Sequence, residues 1–122
     1  MKVQLQGQTL RLRVDEHELA VLLAGETVAN LTRFGSGGGW SQAIRLHEGL
    51  AARLASSADT LQVGLPRQAV LALQASLPSR DGLAFQVGQG DDSLEIRFDV
   101  DVRDSVRQRG VAKAMPQVAS QV

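Results

Sequence analysis

The chain has 122 residues, with 13 basic and 13 acidic side chains and a formal net charge of zero. That balance gives no field for nucleic acid or an anionic membrane surface, and four aromatic residues (Phe34, Trp40, Phe85, Phe98) are too few for a base-stacking platform. Cysteine is absent, which removes disulfides, thiolate catalysis and Cys-type zinc sites.

The opening MKVQLQGQTLRLRV alternates polar and apolar residues where a signal peptide would be continuously apolar. No stretch approaches the roughly 20 apolar residues of a membrane span. A soluble cytoplasmic protein of one domain is the expectation.

Val3 and Leu5 alternate with Lys2, Gln4 and Gln6, which predicts a first strand, and Gly7-Gln8 a turn. Leu10, Leu12 and Val14 alternate with Arg11 and Arg13 in a second strand. Asp15 followed by Glu18 is a variant capping box, in which each side chain satisfies an otherwise unpaired N–H at the start of a helix. Leu19, Leu22 and Leu23 give that helix its buried stripe, and Gly25 is its stop. Residues 28–34 and 40–48 then read as strands around a glycine run.

The second half follows the same order. Residues 52–55 form a weak strand, 56–59 a turn and 60–65 a stronger strand. Pro66 stands at the first position of a helix, where its missing N–H costs nothing. Val70, Leu73 and Leu77 supply its apolar face, and Pro78 ends it. Residues 83–87 and 94–102 are strands joined by a turn at 88–92.

The halves also share letters. Thr9-Leu10 and Thr60-Leu61 precede equivalent elements at an offset of 51, as do LAVLLAGE and VLALQASL. SQAIRL (41–46) and SLEIRF (93–98) match at an offset of 52. The fold class is therefore α+β: residues 1–104 as one domain of two ββαββ units (1–49 and 50–104), forming a curled, mostly antiparallel sheet or a partly closed barrel with two helices. Residues 105–122 read as a mobile C-terminal extension interrupted by Gly110 and Pro116.

Three stretches invite a functional reading. FGSGGGW (34–40) has the glycines of a phosphate loop, but no Lys follows and the next segment alternates like a strand, so a hairpin tip is expected. Asp15-Glu16-His17-Glu18 gathers three carboxylates and a histidine, yet consecutive helical residues diverge, and capping accounts for the acids. His47 has no partners for a His-based site and reads as an exposed strand histidine.

The third stretch carries more. In LEIRFDVDVR, Glu95, Arg97, Asp99, Asp101 and Arg103 alternate with apolar residues and share one face. Lys2, Arg11, Arg13 and Arg45 lie opposite the apolar residues of their own strands. A sheet curled with this face inward would line a channel for a polyanion; curled the other way, the face is solvated. The candidate ligand-binding residues are Arg11, Arg13, Arg45, Arg97, Glu95 and Asp99. No catalytic residue, metal ligand or cofactor is called for.

Met1, Lys2, Thr9, Arg11, Arg13, Glu18, Gly25, Thr32 and Phe34, with Leu65-Pro66 and the strand Glu95–Phe98, resemble a family of small uncharacterised bacterial proteins with an MKxRxxxxSxRxRL-type N-terminus. The resemblance extends to about Arg103, without the cysteine that often follows the family's last motif, and brings no assigned activity with it. The order of elements is also similar to that of triphosphate tunnel (CYTH-like) enzymes, which carry a metal-binding Glu-x-Glu-x-Lys strand near the N-terminus. The matching strand here reads Lys2-x-Gln4-x-Gln6, with neither carboxylate.

The leading expectation is a non-enzymatic binding or interaction domain; its partner is unknown, a small anionic ligand being one candidate, and neither nucleic acid nor membrane is expected. The alternatives are a divergent triphosphate- or polyanion-binding barrel, with or without phosphohydrolase activity, and a homo-oligomer joined through edge strands or the tail.

Overall fold

A computed structural model describes residues 1–102. The predicted extension at 105–122 lies outside the described residues. Eight strands and two helices follow one another as β1 (Lys2–Gln6), β2 (Thr9–Asp15), α1 (Glu16–Leu23), β3 (Val28–Arg33), β4 (Gly39–His47), β5 (Arg53–Ser56), β6 (Thr60–Pro66), α2 (Arg67–Ala75), β7 (Leu83–Val87) and β8 (Leu94–Asp101). The α+β class is as expected, and the strand limits fall within a residue of those read from alternation.

The sheet is divided. The strands form two four-stranded sheets, ordered β1-β2-β8-β7 and β3-β4-β6-β5, and no pairing joins one to the other among the described residues. A closed barrel is therefore not formed. Each half of the chain gives one hairpin to each sheet, and the central pairs β2·β8 and β4·β6 are parallel while the outer pairs are antiparallel.

Exchanging the halves maps one sheet's pairing onto the other's. Leu12 opposite Phe98 corresponds to Val63 opposite Ile44, and Val3 opposite Leu12 to Leu54 opposite Val63. The offset is 51 from Leu12 to Val63, as the sequence suggests, but 54 from Ile44 to Phe98. SQAIRL and SLEIRF thus stand two residues out of register with the pairing.

The inward faces make one apolar core. Leu10, Leu12 and Val14 of β2 and Ile96, Phe98 and Val100 of β8 join Ile44 and Leu46 of β4 and Val63 and Leu65 of β6, all buried. The helices complete it with Leu19 and Leu22 from α1 and Val70 and Leu73 from α2. Each helix touches both sheets, α1 against β2, β8, β3 and β4, and α2 against β6 and β7. Gln42 is the buried polar residue of this interior, 2% exposed, and its Oε1 accepts from Asn30 Nδ2 at 2.9 Å.

Local chemistry sets the helix limits. Asp15 accepts from the Glu18 N–H at 2.7 Å while Glu18 accepts from the Asp15 N–H at 3.0 Å, completing the capping box. Glu18 Oε2 also accepts from the Met1 amino group at 2.6 Å. Pro66 is the N-cap of α2 and not its first helical residue: its φ of −63° and ψ of 125° continue the strand while its lack of an N–H suits a helix start. Helix α2 ends at Ala75, before Leu77 and Pro78, so Leu77 packs on the core from the following loop. Arg67 ties the halves together, donating from Nη1 to the Leu23 carbonyl at 2.8 Å at the end of α1 and pairing with Glu48 at 3.1 Å.

No helix among the described residues is long and apolar enough to cross a membrane.

Candidate functional site

Because the apolar faces turn inward, the charged faces of both sheets are their solvent sides. On the first sheet, register places Lys2, Arg13 and Asp99 in one cross-strand row and Gln4, Arg11 and Arg97 in the next. Thr9 and Glu95 share a third row.

The arginines of this face already have acceptors. Arg11 Nε lies 3.5 Å and Arg13 Nη2 3.9 Å from the same Asp99 oxygen, Oδ2. Arg97 Nη1 lies 3.4 Å from Glu95 Oε2, and its Nη2 donates to the Asp81 carbonyl at 3.3 Å. The Arg97 Nε is buried without a partner among the described residues. Two shallow grooves run beside these groups, one of ≈ 320 Å³ lined by Gln4, Gln6, Thr9 and Arg11, the other of ≈ 110 Å³ lined by Lys2, Gln4, Arg11 and Arg13.

Five of the six candidate residues are thus brought together: Arg11, Arg13, Arg97, Glu95 and Asp99. The sixth is not. Arg45 lies on β4, in the other sheet, opposite Gly64. Gly64 is in turn opposite Arg53 of β5, so Arg45 and Arg53 flank a glycine in one row. Arg53 was not singled out by the sequence, although Gly64 inside a strand signals close approach of another group.

That group is His47. A Cβ added at Gly64 would meet His47 Cδ2 at 3.0 Å, so the imidazole lies across the glycine. His47 is accordingly half-buried, not exposed as an outward strand position suggests. Its Nδ1 accepts from the Gly49 N–H at 2.9 Å, which places the ring proton on Nε2. That Nε2 is buried and has no partner among the described residues.

The glycine run is a hairpin tip, as expected. Gly35, Gly37 and Gly38 have φ of 82°, 94° and 75°, the Phe34 N–H donates to the Gly38 carbonyl at 3.2 Å, and strand β4 follows. The acids of Asp15-Glu16-His17-Glu18 divide as the helix geometry requires, with Asp15 and Glu18 engaged in the cap.

No family model, curated protein or solved structure matches the chain.

Proposed function

We propose that the protein is a non-enzymatic binding domain that meets its ligand on the solvent faces of its sheets. The observation that carries this reading is the pairing on the first sheet: Arg11 and Arg13 share Asp99, and Arg97 takes Glu95. Charges arranged to neutralise one another across strands make a polar contact surface, each exposed pair adding little to stability. The interior behind them is apolar. Incubation of the pure protein with phosphomonoesters, phosphodiesters and triphosphates tests the proposal. Release of phosphate that disappears in Arg11→Ala overturns it.

A divergent triphosphate-binding surface is the second reading, favoured by the two grooves that Arg11 borders. Here the relation to tunnel enzymes would be one of element order, with the ligand outside the sheets. Saturating tripolyphosphate at 100 times its Kd stabilises a binder by about 2.7 kcal/mol. A thermal-shift titration with Mg²⁺ present reads that directly, and an unchanged Tm at millimolar ligand removes the reading.

A further inference from the structure

Corresponding rows of the two sheets carry different charge. In the first sheet the row Lys2–Arg13–Asp99 holds two bases and an acid, and the acid also takes Arg11. Exchange of the halves brings Arg53 to the place of Lys2, Gly64 to that of Arg13 and Arg45 to that of Asp99. The second row therefore holds two bases and a glycine, with an arginine where its counterpart has the carboxylate. Neither Arg45 nor Arg53 makes an ion pair or a side-chain hydrogen bond among the described residues.

The space between them is open. A depression of ≈ 220 Å³ is lined by Arg45, Arg53, Ala55, Gln62 and Gly64 together with the edges of Leu54 and Val63. A second, of ≈ 170 Å³, adjoins it and shares Arg45 and Gln62. The floor is low because Gly64 and Ala55 have little or no side chain there. The unpartnered Nε2 of His47 stands 3.5 Å from where a Gly64 Cβ would be. Buried donors without acceptors are uncommon, and the Arg53 guanidinium lies by the same ring: a Cβ added at Gly49 would meet Arg53 Nη2 at 2.9 Å and His47 Nδ1 at 3.0 Å.

We infer that the Arg45–Gly64–Arg53 row binds the phosphate group of a small phosphorylated ligand. Strands two apart place the two arginine backbones roughly 10 Å from each other, a span that both side chains can close by folding toward Ala55 and Gln62, beside the His47 ring that covers the glycine. A carboxylate offers two oxygens and one charge, which a single guanidinium fork satisfies. A phosphate monoester offers three oxygens and close to two charges, and so engages both arginines. The remainder of the ligand lies over Ala55 and Gln62. This inference rests on the surface-binding reading above and moves the ligand from the first sheet to the second.

The test is an amide ¹H–¹⁵N titration of the full chain with inorganic phosphate, against sodium chloride at matched ionic strength. Saturable shifts are expected at residues 45–47, 53–55 and 62–64. Arg45→Gln and Arg53→Gln, both at exposed positions, should each weaken binding about tenfold, and the double variant should not saturate, while Arg33→Gln, exposed at the end of β3, binds as the parent does. Dispersed spectra from the variants establish that they are folded. The site is overturned by the absence of saturation up to about 20 mM phosphate, by shifts that chloride reproduces, or by saturable binding that survives in the double variant. Binding that maps to β1, β2 and β8 and disappears in Arg11→Gln also overturns it, but leaves the surface-binding reading standing. Turnover of a phosphoester overturns the non-enzymatic reading without touching the Arg45–Arg53 site.

Discussion

The His47 ring lies against Gly64, with its Cδ2 3.0 Å from the position a Cβ would take. Two effects then oppose each other in Gly64→Ala. Replacing glycine inside a strand recovers about 0.5–1 kcal/mol of backbone entropy. Crowding a packed ring costs about 1–3 kcal/mol. The crowding should win, so the variant is expected to be destabilised by about 1 kcal/mol. In a His47→Ala background the obstacle is gone, and the same substitution should become stabilising. Urea denaturation of the four proteins gives the cycle, and the expected reading is a change of sign.

Asp99 holds Arg11 and Arg13 at once, but those arginine side chains are 44% and 42% exposed. Ion pairs in that setting contribute at most about 1 kcal/mol. Asp99→Asn should therefore cost less than about 1 kcal/mol, and less again at high salt, where the pairs are screened. The neighbouring Phe98 is fully buried, and Phe98→Ala should cost about 3–5 kcal/mol. Denaturation midpoints at low and high ionic strength separate the two. An Asp99 effect comparable to that of Phe98 would make the outer face a structural element and not a contact surface.

Alternation exposes the strands because each has one buried face: Leu10, Leu12 and Val14 in β2, Ile96, Phe98 and Val100 in β8. It cannot say which strands pair. The central partners, β2 with β8 and β4 with β6, are parallel and come from opposite halves, so no turn between them records the pairing. The same period hides the slip between SQAIRL and SLEIRF. A two-residue displacement keeps every side chain on its own face, so the letters align well while the register does not. Letter by letter, Arg45 matches Arg97. By pairing, it takes the place of Asp99, and the charge difference between the sheets follows from that displacement. The charged face of the first sheet could be read from residues 94–103, but its outward direction depends on the shared core, which only the three-dimensional pairing creates.

Helix α1 begins with a reciprocal cap, Asp15 and Glu18 each accepting the other's N–H. Asp15→Ala removes the acceptor for the Glu18 N–H and should cost about 1 kcal/mol. Asp15→Asn retains a good cap and should stay within a few tenths of a kcal/mol of the parent. Helix α2 has no side-chain cap at Pro66. Hydrogen exchange should therefore show the first turn of α1 losing protection in Asp15→Ala, with α2 unaffected.

The glycines of the β3–β4 hairpin are not equivalent, and the one that matters most has an ordinary backbone conformation. Gly37 takes a φ of 94° at the exposed tip, where a Cβ would meet nothing within 4 Å. Gly39, at the start of β4, has no positive φ, but a Cβ there would stand 2.6 Å from the Thr32 carbonyl oxygen and 3.4 Å from the Arg33 Cα. Both obstacles are backbone, and Gly39 is the register partner of Arg33, so neither can move without opening the β3–β4 ladder. Gly37→Ala carries only the cost of a left-handed residue, about 1–2 kcal/mol. Gly39→Ala must displace a strand, and its cost should exceed that of Gly37→Ala. Chemical denaturation ranks the two, and amide exchange localises the damage: in Gly39→Ala protection should fall along residues 28–33, whereas in Gly37→Ala it should fall only at the tip.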